Sequence, residues 1–129
     1  MKYYNSKTIK GTTIAAIRSK VEAELKKEGF GILTEIDLQA TMKNKLNKDY
    51  LPQVILGACN PVYADKVVSL EPTISTMLPC NVTLRELESG DVEVAMIAPS
   101  VAMGAIGNSE LEQAAIDVEA KLSNVLNNI

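Results

Sequence analysis

The C-terminal segment carries the most regular hydrophobic pattern in the sequence, and it restricts the fold most. Its apolar residues recur at helical spacing and share one face: Leu111, Ala115, Val118, Leu122, Val125 and Ile129. Ser109, followed three residues later by Glu112, predicts a capping box at the start of this helix. A helix with one apolar face needs a surface that covers this face, so the remaining chain must supply one.

The first half of the chain alternates between strand and helix patterns. A weakly patterned strand is expected over Lys2–Ile9, and a helix follows whose apolar positions are Ile14, Ile17, Val21 and Leu25. Thr12 or Thr13 caps this helix, and Gly29 supplies the left-handed residue that ends it. The next pattern has the period of a strand, with one side formed by Phe30, Ile32, Thr34 and Ile36. A short helix is expected over Leu38–Leu46.

The second half begins with a short buried strand, Val54–Leu56. Asn60-Pro61 then predicts a helix start, and this helix turns Ala64, Val67 and Val68 inward before it ends ahead of Pro72. A hairpin follows, because alternating residues in 82–85 and 92–96 flank the turn sequence Glu88-Ser89-Gly90-Asp91.

This order of elements predicts an α+β fold, a two-layer sandwich with a mainly antiparallel sheet and helices packed on one face. The 129 residues form one domain, 1–129, because two domains would each be too small to bury much core.

The composition excludes several classes of function. The sequence contains no histidine, which removes serine–histidine and cysteine–histidine catalysis and histidine zinc sites. A formal charge of −3 argues against a nucleic-acid surface. The N-terminus has no apolar stretch like a signal peptide's, and the uncharged stretch 94–109 is broken by proline and glycine, so neither export nor a membrane helix is expected. With two cysteines, a cytoplasmic protein with reduced thiols is expected.

The two cysteines are the residues on which chemistry could depend. Cys59 lies in Gly-Ala-Cys-Asn-Pro and Cys80 in Leu-Pro-Cys-Asn, so both are expected in turns, and Cys59 directly precedes a helix start. The N–H groups and the dipole of that helix favour a thiolate at Cys59. Met96 and Met103 are expected in the core and not as thioether metal ligands.

The chain resembles the bacterial and archaeal family called domain of unknown function 302. The resemblance rests on GFGILTEID (29–37), ILGACNP (55–61), LPCNV (78–82) and the last helix. It implies a small two-layer α+β domain and a homodimer, but no activity. The family's motif positions fall here on Gly29, Phe30, Glu35, Gly57, Cys59, Asn60, Pro61, Pro79, Cys80 and Asn81.

Three classes of function remain open. The first is a structural or interaction protein, and the second is a binding module for a small ligand or a soft metal. The candidate site residues of this binding module are Cys59, Asn60, Cys80, Asn81 and Glu35. Two thiolates can hold Cu(I), and Cys59 could also serve as a redox thiolate. The third is an enzyme with Cys59 as nucleophile, which has only Glu35 or a lysine such as Lys66 as a base. No cofactor can be named.

The uncharged segment from Ala95 to Gly107 also favours the expected homodimer. This segment is long for an exposed loop, and it is expected either to line a pocket or a subunit interface or to form a buried loop.

We predict that Cys59 reacts with a small alkylating agent at neutral pH faster than Cys80. The helix start beside Cys59 stabilises its thiolate, whereas the strand after Cys80 has almost no dipole, and a pKa lower by one unit corresponds to about 1.4 kcal/mol. Peptide mass mapping measures the two rates, with Cys59→Ser and Cys80→Ser as controls. Faster labelling of Cys80, or no labelling without denaturant, would contradict this prediction.

Overall fold

Five strands form one antiparallel sheet in the computed structural model of the protein, which describes residues 2–129. The strands are β1 (Tyr4–Ile9), β2 (Gly31–Asp37), β3 (Gln53–Cys59), β4 (Cys80–Glu86) and β5 (Val92–Ile97). Their order across the sheet is β1-β5-β4-β3-β2, and every neighbouring pair is antiparallel. The antiparallel α+β architecture predicted from the sequence is therefore confirmed.

Helices connect the strands and close the chain. They are α1 (Ile14–Lys27), α2 (Leu38–Leu46), α3 (Pro61–Leu70), α4 (Pro99–Met103) and α5 (Ser109–Asn127), with short 3₁₀ helices at Pro72–Met77 and Gly104–Ile106. Capping residues in the local sequence determine where these helices begin and end. Thr13 Oγ1 accepts from the Ala16 N–H at the start of α1, and Gly29, with a φ of 84°, follows its end as expected. No helix in residues 2–129 is long and apolar enough to cross a membrane.

One face of the sheet carries the core. Because side chains alternate along a strand, every second residue of the central strands points toward α1 and α5. The main cluster joins strand residues such as Leu56, Val82 and Val94 to helix residues such as Val21 and Leu122. A second cluster packs α3, α4 and the first 3₁₀ helix on α5: Val67, Ile74, Met103, Leu111, Ala114 and Ala115. The apolar stripe of the last helix is thus covered from two sides.

The opposite face of the sheet is the accessible one. Register places Tyr4 opposite Ile97, Thr83 opposite Ala95, and Arg85 opposite Glu93 on this side. Asn81 and Arg85 are exposed, and Thr83 and Glu93 are half-buried. This mixture of polar and apolar residues is typical of an antiparallel sheet that faces solvent on one side.

The capping residue predicted for the last helix was wrong. Ser109 is the first residue of α5 and not its cap, because Asn108 Oδ1 accepts from the N–H groups of Glu110 and Leu111. Asparagine caps a helix as well as serine does, and here it precedes the serine by one residue.

The alternation predicted for β2 also fails beyond Ile32. The register shifts there by one residue, so that Thr34 lies opposite Gly57 and Glu35 opposite the buried Leu56. An extra residue in one strand of a pair reverses the faces of all residues after it. Thr34 and Ile36 therefore lie on the accessible face, while Glu35 lies on the helix side of this edge strand.

The uncharged segment from Ala95 to Gly107 contains the end of β5, α4 and a 3₁₀ turn instead of a loop. Pro99 and Met103 are buried, and Glu119 of α5 accepts hydrogen bonds from the backbone and hydroxyl of Ser100 at 3.1 and 2.6 Å. Packing on α5 therefore accounts for much of the apolar character of this segment.

We predict that Gly57→Ala lowers the free energy of unfolding by about 1 to 3 kcal/mol, as over-packing does. A Cβ at Gly57 would collide with Thr34 Oγ1 and lie 2.6 Å from Cγ of Pro79. Gly31→Ala is the matched control, because a Cβ at Gly31 meets nothing within 4 Å. Urea unfolding of both variants measures the difference, and equal stability of the two would refute the crowding at Gly57.

Candidate functional site

The two cysteines lie at neighbouring ends of the central strands. Cys59 is the last residue of β3 and Cys80 the first of β4, so the turn positions expected for them from the sequence were wrong. Ala58 lies opposite Cys80, which makes the two cysteines diagonal neighbours. Cα atoms in such positions are about 6 Å apart. Cys80 shares a face of the sheet with its partner Ala58, and Cys59, the next residue along β3, points to the opposite face. This arrangement does not favour a disulfide between the two cysteines, and both thiols are free.

Both cysteines line a small cavity at this end of the sheet. The cavity has a volume of 30 Å³ and is bounded mainly by apolar residues of β3, β4, α3, α4 and α5. Its wall includes Phe30, Ala58, Tyr63, Val67, Leu78, Met103, Ala115 and Val118. Since a buried water needs about 10 to 15 Å³, there is room for a bare ion or about two waters, but not for an organic ligand.

The thiol of Cys80 is held in its neutral form. Burial raises the pKa of Cys80 to about 11, and the neighbouring Cys59 adds a smaller rise through charge repulsion. A low-dielectric environment disfavours the thiolate, so Cys80 is protonated at neutral pH. At neutral pH, ionisation of Cys80 would therefore require a partner that compensates the negative charge.

Asn60 connects two helices. Its Nδ2 donates to the backbone carbonyl of Glu28 at 3.2 Å, and its Oδ1 accepts from the N–H of Tyr63 at 3.4 Å. The side chain is 9% exposed, and both of its polar atoms have partners within the protein. Asn60 thus caps α3 and ties it to the end of α1, although it also borders the cavity.

Glu35, Lys66 and Asn81 do not reach the cavity. Glu35 is exposed and accepts from Nε and Nη2 of Arg18 at 2.9 and 2.6 Å, an interaction that raises the pKa of Arg18. Lys66 is an exposed residue of α3. Asn81 borders a groove on the accessible face of the sheet. The structure therefore brings Cys59, Asn60 and Cys80 together, and leaves Glu35 and Asn81 elsewhere.

The groove on the accessible sheet face is much larger than the cavity. It has a volume of 420 Å³ and is lined by Tyr3, Tyr4, Gln53, Asn81, Thr83, Arg85, Glu93, Ala95, Met96 and Ile97. A volume of 420 Å³ lies within the range of about 300 to 1,000 Å³ that small-molecule pockets have.

An ion pair lies at the floor of the groove. Nε of Arg85 donates to Oε1 of Glu93 at 2.8 Å, and Nη2 donates to Oε2 at 3.4 Å. This hydrogen bonding and the charge of Glu93 raise the pKa of Arg85, and Tyr4 contributes to the rise. Among residues 2–129, no hydrogen bond engages Nη1 of Arg85, so this atom can donate to a ligand.

Aromatic rings border the same groove. The rings of Tyr3 and Tyr4 meet edge to face with centroids 5.0 Å apart, and Nζ of Lys2 lies 5.1 Å from the Tyr4 centroid. Arg85 lies in the groove beside Glu93, and Lys2 adds a second cation at the border of the groove, beside Tyr4. This groove was not predicted from the sequence, because its members become neighbours only when β1 pairs with β5. The outward positions of the predicted hairpin, Thr83, Arg85 and Glu93, were the available signal.

We predict that the stability of the protein falls between about pH 9 and pH 11 and that Cys80→Ala removes this component. The unfolded thiol ionises near its ordinary pKa, whereas the folded one ionises only near 11, so the native state binds more protons in this interval. A shift of about two units corresponds to roughly 2 to 3 kcal/mol. Urea unfolding of wild type and Cys80→Ala across this pH range measures the effect, and parallel pH profiles would contradict it.

Comparisons with known proteins agree with this fold. The family described as Domain of unknown function DUF302 matches residues 5–129. The crystal structure of the uncharacterized conserved protein DUF302 from Bacillus stearothermophilus superposes with a TM-score of 0.91 at 26% sequence identity, over 99% of this chain and 98% of that chain. No curated protein matches the sequence. Because the family matches almost the full length, the chain belongs to the DUF302 family, as the cysteine and glycine motifs suggested.

Proposed function

We propose that the protein is a binding module whose site is the groove on the accessible face of the sheet. The observation that carries this proposal is the difference in volume: 420 Å³ at the groove against 30 Å³ at the two thiols. Of these two spaces, the groove is the one that can accept an organic molecule without rearrangement of the core. A close-packed core opens only at a considerable cost in free energy.

The chemistry of the groove favours a small aromatic molecule with an acidic group. Tyr3 and Tyr4 offer ring surfaces against which a planar ligand can pack. Arg85 retains free donors at Nη1, and Lys2 lies beside Tyr4 at the border of the groove, so an anionic ligand can meet a cation at either place. Arginine donors that face an anion make stronger hydrogen bonds than neutral groups do.

Binding of a small molecule in the groove distinguishes this proposal from the alternative of a purely structural protein. The lining contains the Arg85–Glu93 ion pair and further polar side chains, and not a continuous apolar surface. The homodimer and the cytoplasmic location that the sequence analysis predicts stay proposals, and neither is needed for binding in the groove.

The test uses 8-anilinonaphthalene-1-sulfonate, a planar aromatic sulfonate whose fluorescence rises on binding. We expect saturable binding of a single dye molecule per chain. Arg85→Ala should weaken it by at least about tenfold, because a hydrogen bond to a charged group contributes about 1.5 to 3 kcal/mol. Tyr4→Ala should also weaken it, through the loss of ring contact.

Arg18→Ala is the matched control. Arg18 also forms a surface ion pair with a glutamate, but it lies on α1 and away from the groove. Its replacement should leave the dye affinity unchanged. If Arg85→Ala and Arg18→Ala bind the dye equally, or if binding never saturates, the groove is not the site.

A further inference from the structure

We propose that the groove selects aromatic acids that carry a hydroxyl or an amino group at the end opposite the acid. This specificity rests on the proposed function, in which Arg85 binds the acid. The second polar group of the ligand binds at Asn81. Both residues line the groove, and the proposed function leaves Asn81 unused.

The polar side of the groove follows strand β4. Asn81, Thr83 and Arg85 are alternate residues of this strand and line the groove together, because alternate side chains share a face of the sheet. Alternate residues are about 6.6 Å apart along a strand, so Cα of Asn81 lies about 13 Å from Cα of Arg85. A fused two-ring molecule with a polar group at each end spans a similar length once its two hydrogen bonds of about 2.9 Å are added.

The amide of Asn81 is available to the far end of such a ligand. Asn81 is exposed, and within residues 2–129 its side chain forms no hydrogen bond. An amide offers two donors and a carbonyl acceptor, so it can bind a hydroxyl or an amino group. The groove therefore holds more hydrogen-bonding capacity than an acid alone can use.

Charge determines which end of the groove binds the acid. The two charged side chains that line the groove are Arg85 and Glu93, and they face each other across β4 and β5. Gln53 lies opposite Arg85 on β3, so its amide and the free Nη1 of Arg85 are donors at the same end. The end at Asn81 presents a neutral amide. A ligand with one acid and one neutral polar group matches this order.

The ring of Tyr4 connects the two ends of the groove. Tyr4 pairs with Ile97, which follows the last β4–β5 pair on β5, and Asn81 precedes that pair on β4. Tyr4 and Asn81 are therefore at the same level of the antiparallel sheet. Tyr4 also contributes to the raised pKa of Arg85, so its hydroxyl extends toward the acid end. A flat ligand can pack against this ring while its ends reach Asn81 and Arg85.

The test compares two fluorescent acids that differ in one group, 6-hydroxy-2-naphthoate and 2-naphthoate, by titration into the full-length protein. We expect the hydroxylated acid to bind about fivefold more tightly, the ratio that corresponds to a net hydrogen bond of about 1 kcal/mol. Asn81→Ala should remove this preference and leave the affinity for 2-naphthoate unchanged. Arg85→Ala should weaken both acids by a similar factor.

Asn44→Ala is the matched control, because Asn44 is an exposed asparagine of α2 that does not line the groove. It should leave both affinities unchanged, and circular dichroism verifies that each variant is folded. Equal binding of the two acids by the wild type, or an equal loss of both on Asn81→Ala, would overturn the role of Asn81 while binding in the groove stands. If neither acid binds the wild type, the proposed function fails and this specificity fails with it.

Discussion

The register of β3 against β4 determines what each side of the sheet presents. Leu56 lies opposite Val82 on the helix side, where both are fully buried, while Gly57 lies opposite Asn81 on the accessible side. A slip of one residue would turn the buried side chains to solvent, so the core holds this register strongly. The same register brings Cys59 beside Cys80 at the end of the ladder. The packing of the core and the geometry of the thiols therefore have one physical origin.

The two faces of the sheet differ in the volume and polarity of the space that they offer. On the helix side, α3, α4 and α5 close over the ends of the strands and leave only a cavity large enough for an ion. On the other side, Tyr4 of the edge strand and Arg85 of a central strand border a groove with room for a small molecule. A single layer of helices thus leaves one small apolar cavity on its own side of the sheet and one open polar groove on the other.

Local signals predicted much of the fold but less of the candidate sites. Asn60-Pro61 marked the start of α3, and Gly29 the end of α1, because capping depends on neighbouring residues. The bulge between Ile32 and Thr34 was not predictable, since it is a property of the pairing of β2 with β3, which places Thr34 against Gly57. Likewise, Met103 joins the thiol cavity, and Tyr4 joins Arg85, only through long-range packing. Sequence spacing carries no information on such distances.

The central claim is that organic ligands bind on the sheet face opposite the helices. It is tested most directly by NMR, from the amide shifts that 8-anilinonaphthalene-1-sulfonate causes in isotope-labelled protein. We expect the largest shifts in β1, β4 and β5, at residues such as Tyr4, Thr83 and Ala95, which border or pair across the groove. Shifts centred instead on Tyr63 and Ala115, which border the thiol cavity, would contradict it.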